Sequence, residues 1–257
     1  MKILFLGNNW VGWRTAAFLR ESGAQIVGAV LHKPGERKFG KELLETLGLD
    51  EGRIFDASML RDPEALDAIR SLNPDMGVSA YFGTILKKEF LDIFPEGCIN
   101  VHPALLPFNR GAHPNVWNIV EGSPAGVTVH YIDEGVDTGR TIAQRFVEVR
   151  PIDTGKTLYR RLEQACLDLF EETWPKFLAG DVEIDHVVAG SGTFHKAADL
   201  KTIEEIKPNK LYTARELVDV IRARTFEPYP GAYMIVDGKK VYMRLELYYE
   251  DEEHGGD

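Results

Sequence analysis

The chain has 257 residues, of which 44% are hydrophobic, and a formal net charge of −10 at pH 7. This length accommodates one large α/β domain with a small appendage. The acidic balance and the lack of a long Lys/Arg run in the sequence argue against a nucleic-acid or anionic-membrane surface. Cys98 and Cys166 lie far apart in apolar stretches, which predicts buried thiols and a reducing, cytoplasmic location.

The first elements predict an alternating α/β chain. "KILFLG" and "QIVGAVL" are short apolar runs typical of buried strands, and "WRTAAFLRES" between them has helical spacing. The first run is too short for a signal peptide, and no stretch of the sequence has transmembrane length. "RDPEALDAIRSLNP" predicts a helix with Asp62 as its N-cap, and "MGVSAYFG" and "CINVHP" predict two further strands. We therefore expect a Rossmann-like, doubly wound, mostly parallel sheet whose ligands bind beyond the carboxyl ends of the strands.

The later part of the chain has a different pattern. "GVTVHYID" and "TIAQRFVEV" predict an antiparallel edge, and a long amphipathic helix is expected within residues 154–180. A small C-terminal α+β unit follows, with a helix capped by Thr213 and Glu216 and a hairpin around Asp237-Gly238. The second strand of the hairpin alternates, so we expect one packed face and one exposed face. The predicted divisions are a catalytic domain, the small unit and a disordered acidic tail, over residues 1–184, 185–248 and 249–257.

Asn100 and His102 interrupt the apolar strand "CINVHP". Residues two apart on a strand point to the same face, so the amide and the imidazole project together. Pro103 then removes a backbone donor and ends the strand pairing. Two interpretations stand side by side at this point: core polar residues satisfied by their neighbours, or part of a site at the carboxyl edge of the sheet.

The loop "YIDEGVDTG" adds two carboxylates, Asp133 and Asp137. Alone it would be an acidic surface turn. Together, an amide, an imidazole and a carboxylate suit the attack of an amine on a carbonyl carbon. The amide stabilises the oxyanion, the imidazole moves protons, and the carboxylate orients or charges the imidazole or a relay water. No Ser or Cys nucleophile is required, and the sequence has no G-x-S-x-G elbow of an α/β-hydrolase.

"INVHPALLP", the following "RG" and "GVTVHYIDEGVDTG" resemble the folate-dependent formyltransferase family, which includes methionyl-tRNA formyltransferase, glycinamide ribonucleotide transformylase and the sugar N-formyltransferases. The resemblance is strong over about residues 75–150. It implies that 10-formyltetrahydrofolate is the formyl donor. It also implies that Asn100 stabilises the oxyanion, that His102 is the proton shuttle, and that Asp137 supports the protonated state.

The resemblance further implies that two loops bind the folate. The residues concerned are Tyr81, Phe82, Gly83, Thr84, Ile85, Leu86, Asp133 and Gly135. For Tyr81 and Phe82, simple packing is the alternative. "GNNWVG" lacks the G-x-G-x-x-G spacing of dinucleotide-binding proteins, which argues against an NAD enzyme. Asn8, Asn9 and Trp10 in this segment either line the acceptor pocket or form an ordinary strand-to-helix turn. No metal cluster is expected.

Sugar N-formyltransferases resemble the chain also in "FNRGAHPNVWNIVEGSPAGVT" and "GTFHKAADL". The implied acceptor is a nucleotide-linked amino-deoxysugar. Its predicted contacts are Asn109, Arg110, His113 and Trp117, because Arg suits phosphate and Trp offers a stacking face. The alternative places Trp117 in the core and pairs Arg110 with an acidic neighbour. Small C-terminal units of these enzymes often form dimer contacts, which implies a homodimer.

Three other functions remain open from the sequence. In transfer-RNA formylation, a basic C-terminal region would neutralise phosphates, whereas residues 186–257 hold ten Lys/Arg against thirteen Asp/Glu. That balance ranks transfer RNA second and makes nucleic acid a disfavoured partner. A formyltetrahydrofolate hydrolase would use the same three residues with water as acceptor. A non-catalytic folate-binding protein would have no need for a proton shuttle.

Overall fold

The computed structural model describes residues 1–185 and 192–250. Of the predicted acidic tail, residues 251–257 lie outside the described residues. In chain order the elements are β1 (Lys2–Gly7), α1 (Asn9–Glu21), β2 (Gln25–Leu31), α2 (Gly40–Leu47), β3 (Ile54–Asp56), α3 (Pro63–Ser71), β4 (Met76–Ala80), α4 (Lys88–Leu91), β5 (Cys98–His102), β6 (Arg110–Gly111), α5 (Pro114–Glu121), β7 (Gly126–Tyr131), β8 (Thr141–Phe146), α6 (Gly155–Leu178), β9 (Phe194–His195), α7 (Ala214–Arg224), β10 (Ala232–Val236) and β11 (Lys239–Met243).

The main sheet has seven strands in the order β3-β2-β1-β4-β5-β7-β8. The five strands from β3 to β5 are parallel, and β7 and β8 continue the sheet as antiparallel neighbours. The predicted doubly wound, mostly parallel sheet with an antiparallel edge is therefore confirmed. The chain leaves β1 toward β3 and returns to β4 on the other side of β1, which places a topological switch point beside the carboxyl end of β4.

Two apolar layers cover the sheet, one on each face. Alternate residues of β1 point to opposite layers, because strand side chains have a period of two. Ile3 and Phe5 belong to the layer with α1, α2, α5 and α6, and Leu4 and Leu6 belong to the layer with α3 and α4. Burial of both faces explains why the parallel strands are nearly continuous apolar runs.

The C-terminal helix α7 packs against α5 and α6 of the large unit. Its capping box is formed as predicted, with the Thr213 hydroxyl accepting from the Glu216 amide and the Glu216 carboxylate accepting from the Thr213 amide. The Arg222 guanidinium donates to the Asp153 carbonyl at 2.8 Å. Across the same interface, the Lys156 amide donates to the Thr225 carbonyl at 3.2 Å.

The C-terminal hairpin turns at Asp237 and Gly238, which have φ values of 48° and 74° as a type I′ turn requires. The expectation that one face of β11 packs holds only at the end of the strand, where Met243 is partly buried against the apolar cluster of the small unit. Val241 and Tyr242 point to opposite faces, and they are 45% and 49% exposed. The apolar cluster of the small unit reaches the base of the hairpin at Ala232 but does not cover these residues.

The strand β9, which follows residues 186–191 in the chain, pairs with the large unit. β9 pairs in parallel with β6, so that Arg110 lies beside Phe194 and Gly111 beside His195. A Cβ at Gly111, which has a φ of 88°, would lie 2.4 Å from the His195 carbonyl oxygen. Only glycine allows this approach. The domain limits given above stay a prediction.

Candidate active site

A cleft of about 580 Å³ lies at the carboxyl ends of β4 and β5. Its walls are the loop after β4, the loop after β7, the start of α5 and the segment containing β9. The polar residues that line it are Ser79, Tyr81, Thr84, Asn100, His102, His113, Asn115, His130, Asp133, Asp137, Tyr159, His195 and Lys196. This is the edge at which an open α/β sheet binds its ligands.

Asn100 and His102 point into this cleft from alternate positions of β5, as their spacing predicts. The His102 side chain is only 9% exposed, and its Nε2 lies 3.5 Å from Asp137 Oδ2. Within the described residues, Nε2 makes no hydrogen bond. A buried polar atom without a partner is costly. Because this one faces a cleft, it is suited to a ligand.

Asp137 reaches His102 from the loop after β7. Its Oδ2 accepts a hydrogen bond from the Gly111 amide at 2.9 Å. Its Oδ1 lies 3.7 Å from Nε2 of a second imidazole, His130. The carboxylate therefore lies between two histidines and is held by one backbone donor.

The loop that carries Asp137 is ordered by its own first carboxylate. Asp133 Oδ1 accepts from the Gly135 amide at 3.0 Å and from the Thr138 hydroxyl at 2.6 Å. A Cβ at Gly139 would lie 1.8 Å from the Tyr131 carbonyl oxygen, so the loop closes tightly on the end of β7. Asp133 and Gly135 both line the cleft.

His130 is a member of the site that the sequence analysis did not assign. It lies opposite Asn100 on the neighbouring strand β7, and the Asn100 Nδ2 is 3.3 Å from its Nε2. Burial lowers the pKa of His130 to about 4, although the Asp137 carboxylate acts in the opposite direction. The imidazole is therefore neutral near pH 7. The alternation of "GVTVHY" puts His130 on one face of its strand, and the antiparallel pairing of that strand with β5 brings the imidazole to Asn100.

The loop after β4 lines the cleft with the six residues of this loop that were predicted to bind folate, Tyr81 to Leu86. Phe82 and Leu86 are buried, and Ile85 is 60% exposed. Tyr81 has a φ of 53°, and its hydroxyl lies 3.8 Å from the Cys166 sulfur. The loop thus combines a largely apolar wall with backbone that borders the cleft.

The predicted acceptor residues separate into two groups. His113 lines the cleft, and burial lowers its pKa, with Arg224 acting in the same direction. Asn109 has no exposed surface, and its side chain hydrogen-bonds Ser123 and Thr193 at 2.7 and 2.8 Å. It holds the loop between β5 and α5 in place. A direct contact of Asn109 with an acceptor would require this loop to rearrange.

Trp117 and Arg110 also lie outside the cleft lining. Trp117 is buried, and its ring stacks on the His195 ring at 3.9 Å between centroids. This agrees with the alternative that placed Trp117 in the core. The backbone of Arg110 pairs with the segment containing β9, since its amide donates to the Thr193 carbonyl at 3.0 Å. His195 and Lys196 of "GTFHKAADL" line the cleft instead.

Asn8, Asn9 and Trp10 form the turn from β1 to α1, next to the cleft but outside its lining. Asn8 Oδ1 accepts from the Lys38 amide at 2.9 Å, and Trp10 packs against the core. Asn9 Nδ2 donates to the Tyr159 hydroxyl at 3.0 Å. These contacts agree with the alternative of an ordinary turn, and a role in acceptor binding stays a prediction.

Tyr159, from α6, lines the cleft and was not predicted.

Within the described residues, no group of three or more His, Cys, Asp or Glu side chains is arranged to hold a metal ion. Over the same part of the chain, no helix has the length and apolar character to cross a membrane.

The parallel sheet carries a cleft at the carboxyl ends of its strands, and Asn100, His102 and Asp137 lie together in it, as the family resemblance implies. Residues 14–173 match the family described as formyl transferase, and residues 199–249 match the N-formyltransferase dimerization C-terminal domain. The chain therefore belongs to the formyl transferase family and is a formyltransferase. The predictions of the family, the enzyme class and the folate formyl donor are confirmed.

The relatives and solved structures to which the chain is similar are formyltransferases of different names. The chain is 31% identical to a methionyl-tRNA formyltransferase of Geobacter sulfurreducens, over 96% of this chain and 77% of that relative. It is similar to a 4-N formyltransferase from Francisella tularensis, with a TM-score of 0.81 and 27% identity over 96% of this chain and 98% of the other. It is also similar to a formyltransferase from Anoxybacillus kamchatkensis solved with UDP-4,6-dideoxy-4-formamido-L-AltNAc and tetrahydrofolate. There the TM-score is 0.57 and the identity 32%, over 79% of this chain and 89% of the other.

Proposed function

We propose that this protein transfers the formyl group of 10-formyltetrahydrofolate to the amine of a nucleotide-linked amino-deoxysugar. The main support is the match to the Francisella tularensis 4-N formyltransferase, which covers 96% of this chain and 98% of the other. The match includes the small C-terminal unit, so both units have the size and arrangement of that enzyme. The nucleotide sugar bound in the Anoxybacillus kamchatkensis complex supports a nucleotide-linked sugar as the class of acceptor.

The cleft suits the proposed donor. Its volume of about 580 Å³ is within the range of small-molecule sites. An apolar loop, Tyr81 to Leu86, forms one wall for a flat ring, and the Asp133–Asp137 loop forms another. His102 Nε2 lies inside without a hydrogen-bond partner among the described residues. The donor supplies an activated formyl group, and the remaining tasks fall to side chains of this chain.

Each of the three predicted catalytic residues has a role in the proposal. Asn100 donates a side-chain N–H to the formyl oxygen, where negative charge develops. His102 Nε2 accepts the proton that the attacking amine loses as its nitrogen bonds to the formyl carbon, and returns that proton to the folate nitrogen as the bond from this nitrogen to the formyl carbon breaks. The Asp137 carboxylate, 3.5 Å away, stabilises the imidazolium while it exists. The attacking amine belongs to the acceptor, so no protein nucleophile is needed.

Methionyl-tRNA formylation is the second candidate, because curated relatives of that activity are 30% to 32% identical to the chain. Transfer RNA would require phosphate neutralisation by a basic surface. Residues 186–257 instead hold more Asp/Glu than Lys/Arg, with ten basic against thirteen acidic residues. The nucleotide sugar is therefore the preferred acceptor, with transfer RNA as an outcome of the test.

We also propose that the protein is a cytoplasmic homodimer. Residues 199–249 match the N-formyltransferase dimerization C-terminal domain. The hairpin β10–β11 exposes Ile235, Val236, Val241 and Tyr242 at 39%, 43%, 45% and 49%. An apolar hairpin of this kind suits a second copy of the chain. Multi-angle light scattering would give twice the mass of 28.9 kDa, and a monomer would contradict the proposal.

The acceptor is tested by mass spectrometry of a pool of nucleotide-linked 3- and 4-amino sugars incubated with the protein and 10-formyltetrahydrofolate. One pool member is expected to gain the mass of a formyl group. Donor consumption with release of formate and no formylated sugar would indicate a hydrolase. If neither reactant changes, charged initiator transfer RNA is tested next, and its formylation would replace the sugar proposal.

A further inference from the structure

His130 lines the cleft beside Asn100, and the proposed chemistry gives its imidazole no task. Its side chain is 2% exposed and lies on β7, beside Asn100 of the neighbouring strand β5. His102 and Asp137 face it from the cleft side, with a ring-centroid distance of 6.1 Å to His102 and 3.7 Å from Nε2 to Asp137 Oδ1. A polar ring buried so deeply must be held by specific hydrogen bonds.

The backbone determines which nitrogen of His130 carries its hydrogen. Nδ1 lies 2.8 Å from the Tyr131 carbonyl oxygen. A carbonyl can only accept a hydrogen bond, so Nδ1 is the donor. Burial lowers the pKa of His130 to about 4, which keeps the ring neutral near pH 7. Nε2 is therefore left with a lone pair and no hydrogen.

This bare nitrogen determines the orientation of the Asn100 amide. The Asn100 Nδ2 lies 3.3 Å from His130 Nε2. The lone pair of Nε2 accepts an N–H of the amide. If the amide were rotated by 180°, the Asn100 side-chain oxygen would face this lone pair instead, and two acceptors cannot hydrogen-bond each other. The amide nitrogen has two hydrogens. One binds His130, and the second remains for a ligand in the cleft that Asn100 lines.

We propose that His130 is a positioning residue for formyl transfer: by accepting one N–H of Asn100, it holds the amide with the second N–H aimed at the formyl oxygen. This inference rests on the oxyanion role proposed for Asn100. It explains why an imidazole is buried on the strand next to β5, at the position directly opposite Asn100. Without an acceptor there, the amide can turn over and present its oxygen to the developing negative charge.

The tautomer is tested directly by nitrogen-15 NMR of the imidazole rings in the ligand-free protein at pH 7. The chain has seven histidines, and the His130 signals are identified by their loss in His130→Gln. The expected spectrum shows a neutral His130 ring with its hydrogen on Nδ1. A hydrogen on Nε2, or a protonated ring, would overturn the proposal, and this readout does not depend on which acceptor is formylated.

Kinetics of two variants test the consequence. A Gln side chain retains an acceptor oxygen near the position of Nε2, whereas Leu has similar bulk and no polar atom. His130→Leu is expected to lower kcat roughly tenfold or more, with the KM for 10-formyltetrahydrofolate almost unchanged. His130→Gln should retain most of the wild-type kcat. Equal losses in both variants would indicate packing alone, and a normal His130→Leu enzyme would likewise overturn the proposal.

Asn100→Ala separates this inference from the function on which it rests. If Asn100→Ala transfers formyl at the wild-type rate, the oxyanion role itself is wrong. If Asn100→Ala is slow while folded His130→Leu is normal, only the positioning role is wrong. Thermal unfolding of each variant shows whether it is folded, and a His130→Leu chain that does not fold leaves the NMR result and the His130→Gln rate as the test.

Discussion

Two clusters of polar side chains lie at the carboxyl edge of the main sheet, and they differ in how the protein satisfies them. The β5 cluster, Asn100, His102, His130 and Asp137, leaves His102 Nε2 without a hydrogen bond within the described residues. In the β1 cluster, formed by Asn9, Tyr159 and Glu163, the Asn9 amide nitrogen lies 3.0 Å from the Tyr159 hydroxyl and 3.3 Å from Glu163 Oε1.

The difference distinguishes an atom available to a ligand, His102 Nε2, from an amide that is already held by hydrogen bonds, that of Asn9. A satisfied buried network stabilises one backbone arrangement, whereas an unsatisfied group facing a cleft retains its capacity to bind a ligand. Both clusters contain an Asn that the sequence singled out. The surrounding hydrogen bonds, rather than the residue type, distinguish Asn100 from Asn9.

The largest expected effect is on the proton shuttle of the β5 cluster. His102→Asn removes the group that moves the proton, so we expect kcat to fall by a factor of roughly a hundred or more. Donor affinity, measured by titration with tetrahydrofolate, should remain close to that of the wild type. Turnover within a few-fold of the wild type would remove His102 from the mechanism.

Neutralising the carboxylate between the two histidines should have the next largest effect. Asp137→Asn retains an oxygen that can accept from the Gly111 amide. It removes the charge that stabilises a protonated His102. We expect kcat to fall roughly tenfold to a hundredfold, with little change in donor KM. If the affinity for the donor fell by the same factor as kcat, Asp137 would instead be a residue that orders the loop.

The pH dependence of stability tests the burial of His130. Its pKa is about 4 in the folded state and 6.5 for an ordinary imidazole. Between these pH values, His130 binds a proton in the unfolded chain but not in the folded one. Its contribution to the free energy of unfolding is therefore fully present above about pH 6.5 and is lost as the pH falls toward 4. For this group alone, the free energy of unfolding should fall by roughly 2 kcal/mol between pH 7 and pH 5.

Urea unfolding of the wild type and His130→Gln at both pH values isolates this contribution, because all other titrating groups are shared. The variant should lose less stability than the wild type on acidification. An identical loss in the two proteins would mean that His130 titrates normally, and therefore that the interior of the β5 cluster is wetter than its burial indicates.

The smallest effect on activity is expected in the β1 cluster. Asn9 has a φ of 58°, so Asn9→Gly removes the side chain without straining the backbone. Loss of its hydrogen bonds should lower the free energy of unfolding by about 1–2 kcal/mol. The transfer rate should change by less than a few-fold. A large rise in acceptor KM would restore Asn9 to the acceptor pocket and weaken the distinction between the clusters.

Much of the fold was predictable because its patterns are local. The run "KILFLG", the Asp62 cap and the Thr213–Glu216 box each depend on a few neighbouring residues, and the structure has them as expected. The i, i+2 spacing of Asn100 and His102 was enough to place both in one cleft. What the sequence could not show is pairing between distant segments, such as β6 with β9, which joins residues 84 positions apart at Arg110 and Phe194.

The acceptor side of the site was less predictable for the same reason. Trp117 was a candidate stacking face, but a ring from β9, His195, already stacks on it. Tyr159 lines the cleft from a helix whose pattern indicated only an apolar face. His130 was visible as one position of an alternating strand. Its role depends on the register between β5 and β7, which the sequence does not state.

The most direct test is a crystal structure of the protein with tetrahydrofolate and the formylated acceptor. We predict that the pterin lies between the residue 81–86 loop and the 133–137 loop, with the formyl oxygen roughly 3 Å from the Asn100 amide nitrogen and the reacting nitrogen within similar reach of His102. A folate bound elsewhere, or a formyl group that contacts the β1 cluster instead, would contradict the assignment of the β5 cluster as the catalytic site.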